Sequence, residues 1–362
     1  MTAERDRIVS LQILRFVAAA MVVVAHAGIA AQDSIGHFEV AERAASVGVG
    51  GVDIFFVLSG MVIMLTGPLA HPRPTAAHFA LRRFLRVVPV FWLWSAVTIL
   101  IDRPALAWPQ TWATLFLPFA SGVATEPYLA PGWTLSFEMA FYATVAALMI
   151  GGKTRRNLAI GAGALGALIA ARIFAPDAFT LFLINPLFLE FGAGALLAWA
   201  LPRLSKLPAR IGLFLLVAAV LLLLPIARPG IGARATVLDG ALTGNVVLRM
   251  EMFALPAVFL VAGATIVDRL CVGRWAKRLA WLGDASYSIY LVHTLAIQGV
   301  IAVARGSGYA VPPAAFFVDA IFASLAAGAL AHRFIERPIL HNLKRLSFNR
   351  PPWRPAVVET PT

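Results

Sequence analysis

The sequence predicts an all-α, polytopic integral membrane protein, a helical bundle of about ten transmembrane helices with both termini in the cytoplasm. Three observations carry this. Hydrophobic residues make up 60% of the 362 and charged residues only 13%, against roughly 25% charged in a soluble domain; the mean hydropathy is +0.82. Long apolar runs recur along the whole chain. The basic residues between those runs are distributed unevenly between alternate sides.

The runs fall at 10–31, 50–67, 84–101, 132–150, 157–173, 181–200, 210–227, 248–267, 286–304 and 313–334. The second, third and fifth are short and read as tilted or broken spans. With the N-terminus inside, 22 of the 30 Lys and Arg residues lie at inner ends, inner loops or the tail. Seven lie outside, Arg249 among them, and Arg15 lies within a span. The net charge of +12 therefore reports topology and acidic lipid; no nucleic-acid motif competes for it. The first run is too long, and too interrupted by Arg15, for a signal peptide. A single cysteine, Cys271, excludes an intramolecular disulfide and a cysteine-cluster metal site.

The first span, SLQILRFVAAAMVVVAHAG, holds Arg15 and His26. Eleven residues at ~100° each bring both side chains to one helix face, ~16 Å apart along the axis. That face is costly in lipid and should look into the bundle. The second span, GGVDIFFVLSG, starts with Asp53 near its outer end. An imidazole beside a carboxylate can work as a general base, with the carboxylate fixing its tautomer, so Asp53 is expected to orient His26. The alternative, a histidine that only bonds across a helix interface, stays open.

At the inner mouth of the third span, RRFLRVVPVFW carries Arg82, Arg83 and Arg86. Arg83 and Arg86 are one turn apart, a spacing that suits phosphate. Topology demands basic residues there anyway. Pro89 is a place for this helix to start or kink. In the outer loop 102–132, TWATLFLPFA is too short to span and reads as an interfacial or re-entrant piece. PGWTLSFEMAFY opens the fourth span, with Glu138 ~8 Å below Trp133. Trp133 suits the interface, whereas Glu138 needs a protein interior. The fifth span, rich in small residues, reads as a close-packing helix.

The ninth span, WLGDASYSIYLVHTLAI, is the most polar, with Tyr290 and with His293 at mid-membrane. His293 either lines a passage or packs as a bonded histidine. HRFIERPI closes the tenth span, where Arg333 and Glu336 read as part of a local surface charge network. The proline-rich tail, 347–362, is expected to be disordered. No motif of serine hydrolases, P-loops or zinc peptidases occurs, and GVGGVDIFF lacks a nucleotide-binding context.

The pieces LQILRFVAAAMVVVAH, GVDIFFVLSG, RRFLRVVPVFW, PGWTLSFEMAFY, LGDASYSIYLVH and HRFIERP, in this order over about residues 8 to 340, resemble the acyltransferase 3 family of integral membrane acyltransferases. The resemblance implies a single membrane domain over 8–340. It implies that His26 is catalytic and that Arg15 serves the acyl-CoA side. It implies coenzyme A binding by Arg83 and Arg86. Phe56, Ser59 and Gly60 match the family's FF-x-x-SG piece, and Glu138 its glutamate. Ser59, Trp133, Glu138, Tyr290 and His293 are the candidates for a channel or acceptor site. Many relatives carry an aspartate where Gln12 stands, a departure that looks like the branch of exopolysaccharide and O-antigen acetyltransferases. No fused extracytoplasmic hydrolase-like domain is present, so the chain is expected to act alone or with a separate partner.

The activity so implied is transfer of an acyl group, acetyl first, from cytoplasmic acyl-CoA to a hydroxyl of an exported or cell-surface polysaccharide. Acetyl-CoA or another acyl-CoA would be the donor, and no metal is expected. The acceptor would be a glycan or lipid-linked saccharide, with polysaccharide biosynthesis proteins as partners, in the bacterial inner membrane. Two other readings suit the same polar residues. One is a transporter or exporter whose path uses Arg15, Glu138 and His293. The other is a non-catalytic component of a polysaccharide assembly complex.

Overall fold

The computed structural model describes residues 8–70, 73–116, 127–150, 185–227 and 246–347, and all regular structure among them is helical. The helices are α1 (Val9–Ser34), α2 (Glu39–Gly48), α3 (Gly51–Thr66), α4 (Ala76–Asp102), α5 (Trp108–Leu115), α6 (Gly132–Met149) and α7 (Phe188–Leu204). They continue with α8 (Ala209–Leu223), α9 (Val246–Val267), α10 (Arg274–Asp284), α11 (Ser286–Gly306), α12 (Pro313–Ala331) and α13 (Arg337–Ser347). Seven stretches of these are long and apolar enough to cross a membrane: 9–34, 39–66, 76–102, 209–227, 249–270, 286–306 and 313–343. The expected fourth and sixth spans correspond to the shorter α6 and α7. The fifth, and the tail beyond Ser347, lie outside the described residues.

Two expected short spans differ in form. The second is a broken helix, α2 then α3, interrupted at Val49–Gly50. The third begins eight residues earlier than expected. Thr75 caps α4, its hydroxyl accepting from the His78 amide at 3.2 Å, which satisfies one of the donors a helix start leaves over. The helix then runs through Pro89 without ending there. Arg82, Arg83 and Arg86 therefore all sit within α4. The expected re-entrant piece begins as the short α5, with Pro109 in its first turn; residues 117–126 are outside the described set.

The helices gather into two compact units. One runs from Phe56 to Ala209 and takes in Ile8 and residues 339–347; the other joins Val9–Phe55 to Arg210–Pro338. In the first, α3 meets α7 at glycines. A Cβ on Gly60 would collide with the Phe191 carbonyl, and one on Gly194 with the Val57 carbonyl, so small residues let two backbones touch where no hydrophobic force separates helix from lipid. Around this contact Phe56 stacks on Phe191 at 4.7 Å, and Phe137 lies 5.3 Å from Phe188.

In the second unit, α1 is wrapped by α2, α10, α11 and α12. Ala27, Ala31, Ala41, Ile297, Phe316 and Ala320 form one apolar core. Ala19, Val23, Ala285 and Ile289 form another. Alanines on α1 bring the neighbouring helices close enough for its polar face to meet theirs.

Candidate active site

The second unit holds His26. Its Nδ1 lies 2.9 Å from the Val22 carbonyl one turn back. A carbonyl only accepts, so Nδ1 carries the hydrogen and Nε2 presents a lone pair. Among the described residues that Nε2 has no hydrogen-bond partner. The ring is partly buried and stands edge-on to His293, with centroids 4.7 Å apart. His293 is fully buried. Its Nδ1 is likewise held, by the Tyr290 carbonyl at 2.7 Å, and its Nε2 is buried with no hydrogen-bond partner. Tyr290 and Phe55 continue this wall in edge contact at 5.9 Å. Two imidazoles thus meet, each locked by its own helix into the tautomer that leaves Nε2 basic.

Arg15 is partly buried on α1 and is engaged by a neighbour. An apolar groove of about 370 Å³ between α1 and α2 is lined by Phe16, Ala20, Met21, Val24, Ala44 and Val47, among others. By helix angle its α1 residues lie on the side opposite Arg15 and His26. This groove is therefore not where the titratable groups are.

The ion pair that Asp53 makes is with Arg249: Nη2 to Oδ2 is 2.5 Å, with Asp53 fully buried. The expected coupling of Asp53 to His26 gives way to this pair. The same Arg249 nitrogen donates to the Val49 carbonyl at 2.9 Å, and the guanidinium lies over Phe253. Arg249 was counted among the outer charges by position, but it is a buried residue of α9. It fills two needs at once, since the break between α2 and α3 frees a carbonyl and the buried carboxylate requires a cation.

The first unit holds a second polar chain. Ser59 Oγ donates to Glu138 at 3.2 Å. The Tyr142 hydroxyl donates to the same carboxylate oxygen. The Arg83 guanidinium donates to Thr66 and lies 5.4–5.5 Å from the rings of Tyr142 and Phe79. Glu138 thus has the protein interior it needs, one turn from Tyr142 on the same face of α6. Trp133 packs edge-on against Phe56 and Phe137. Arg83 and Arg86 do not form a matched fork: Arg83 is 8% exposed and packed between rings, while Arg86 is open.

At the end of α12 the helix widens into one π-turn, His332–Glu336. Glu336 is buried there, accepting from Ser288 Oγ at 2.6 Å and His332 Nδ1 at 2.9 Å. The expected surface network of Arg333 and Glu336 is thus divided, with Arg333 exposed over Phe334. The sequence signals for what was missed were faint. Tyr142 lies four residues after Glu138, His332 four before Glu336, and Arg249 one residue inside an apolar run.

An acyltransferase domain model of the acyltransferase 3 family matches residues 8–333. The chain belongs to that family. It is an O-acyltransferase, and with seven apolar spans in the described residues it is a multi-pass membrane protein. The exopolysaccharide production protein ExoZ of Rhizobium meliloti (strain 1021) is 32% identical over 307 residues, covering 82% of this chain and 90% of ExoZ. The acyltransferase MdmB of Streptomyces mycarofaciens is 27% identical over 380 residues, covering 94% and 93%. No solved structure matches the chain. No cluster of metal-ligating side chains occurs among the described residues.

Proposed function

We propose that this acyltransferase moves an acetyl group from acetyl-CoA, taken up at the cytoplasmic face, to a hydroxyl of an exopolysaccharide or its lipid-linked precursor on the outer side of the inner membrane. The observation that carries the reading is the His26 imidazole, tied through Nδ1 to Val22 and free at Nε2. In the proposed step Nε2 takes the proton of the acceptor hydroxyl while its oxygen attacks the thioester carbonyl. Collapse of the tetrahedral adduct breaks the carbon–sulfur bond, and the leaving thiolate takes the proton back from the imidazolium. His293 backs the ring of His26 and limits its rotation. Arg86 and Arg15 are assigned to the donor, Arg86 because an exposed guanidinium can pair with phosphate oxygens. Glu138 and Ser59 are assigned to holding the first unit's polar chain. The likeness to ExoZ supports a polysaccharide acceptor.

The test uses the purified protein in vesicles with labelled acetyl-CoA and exopolysaccharide fragments. Coenzyme A release should depend on the acceptor, and label should appear in the saccharide. His26→Ala should lower turnover about 10²–10⁴-fold with the melting temperature unchanged. Near-normal turnover in that folded variant removes His26 from the role of base.

A further inference from the structure

We infer that α10 is a binding site for acidic phospholipid headgroups, seated on the membrane surface against the N-terminal part of α1. The inference does not depend on the role given to His26.

Helix α10 is 11 residues long, RWAKRLAWLGD, and its residues sort onto three faces. At ~100° per residue, Arg274, Lys277, Arg278 and Trp281 share one face, Trp275, Leu279 and Leu282 a second, and Ala276, Ala280 and Gly283 a third. Burial follows the same division. The three cations, Trp275, Leu279 and Trp281 are exposed, Ala276, Ala280 and Leu282 are half-buried, and Gly283 is buried. That small face rests on α1. Gly283 lies against the Gln12 backbone so closely that a Cβ there would strike the Gln12 carbonyl. Just ahead of α10, Asp268 accepts from the Ser10 amide at 2.7 Å, which ties the same region to the first turn of α1.

Much of the other two faces is exposed. Trp275 is 75% exposed and Val272 77%, beside the row of three cations. The Arg278 guanidinium stacks on the Trp275 ring at 5.2 Å. The apolar spans 249–270 and 286–306 flank this helix on both sides, so a short connection holds it at the bilayer surface. An amphipathic helix with tryptophan on one side and Lys and Arg on another fits the headgroup boundary, where the ring enters the acyl edge and the cations meet phosphate. The only acid on the helix is Asp284, at its last position. Charge complementarity therefore selects acidic lipid over zwitterionic lipid.

The experiment is retention of lipid by the full-length protein, read by native mass spectrometry after extraction from vesicles of phosphatidylcholine mixed with phosphatidylglycerol. The wild type should retain phosphatidylglycerol selectively. The combined Arg274→Gln, Lys277→Gln, Arg278→Gln variant should lose that retention about tenfold or more, while Arg274→Lys with Arg278→Lys keeps it. Unchanged retention in the glutamine variant overturns the inference. Should that variant fail to fold, the wild type decides alone, because selective retention must fall with rising salt; retention indifferent to salt overturns it. Displacement of the lipid by acetyl-CoA, or by inorganic phosphate at matched concentration, reassigns the basic row to a soluble phosphate and also overturns it.

Discussion

Arg83 and Arg86 stand one turn apart on α4 in opposite surroundings. Arg83 is packed between Phe79 and Tyr142 and donates to Thr66. Lysine in its place keeps the charge but gives up the flat stacking surface and the fixed fork. Arg83→Lys should therefore lower the melting temperature and depress turnover at all donor concentrations. Arg86 is open, so Arg86→Lys should leave stability alone and raise the KM for acetyl-CoA about tenfold, the worth of one charge-assisted hydrogen bond. A titration of initial rates against donor, beside a thermal melt, separates the two. If Arg86→Lys has wild-type KM, the residue serves topology only. Position along the chain told both arginines apart from lipid-facing residues but not from each other. The difference comes from Thr66 and Tyr142, contributed by other helices. Arg249 was misread for a related reason: its charge suited an outer loop, and only the distant Asp53 explains a guanidinium inside the bundle.

Helix existence was legible where apolar runs were long, and helix ends were not. The extra turns of α4 follow from the Thr75 cap, a local signal overshadowed by the basic residues after it. The break between α2 and α3 was hidden because the polar half of that span, EVAERAASVG, does not look like membrane helix. The FF-x-x-SG piece was visible as a motif, and packing supplies its physical reason: Gly60 admits the backbone of α7. Gly60→Ala should destabilise the protein by about 1–3 kcal/mol, the usual cost of overpacking. Gly192, on the same α7, has open space around its missing Cβ. Gly192→Ala should be neutral or slightly stabilising, since alanine favours helix. Equal melting temperatures for the two variants would mean that the α3–α7 contact does not bear on stability.

At the scale of the whole chain, 22 basic residues against seven argue for an N-terminus and C-terminus that share the cytoplasm. Green fluorescent protein fused after Thr362 should fluoresce in intact cells, and alkaline phosphatase fused there should be inactive. An active phosphatase fusion would invert the orientation and with it the side from which the donor is proposed to arrive.

The unit that carries His26 is not continuous in the chain: Val9–Phe55 belongs with Arg210–Pro338. The ion pair that closes it joins residues 196 positions apart. During synthesis at roughly 5–20 residues per second, Asp53 enters the bilayer about 10–40 s before Arg249 exists to neutralise it. The first helices must therefore wait in the membrane with that partner missing, and a ribosome that stops before Arg249 leaves a product in which neither unit is complete. The order of the gene thus makes catalytic competence one of the last properties the nascent chain acquires.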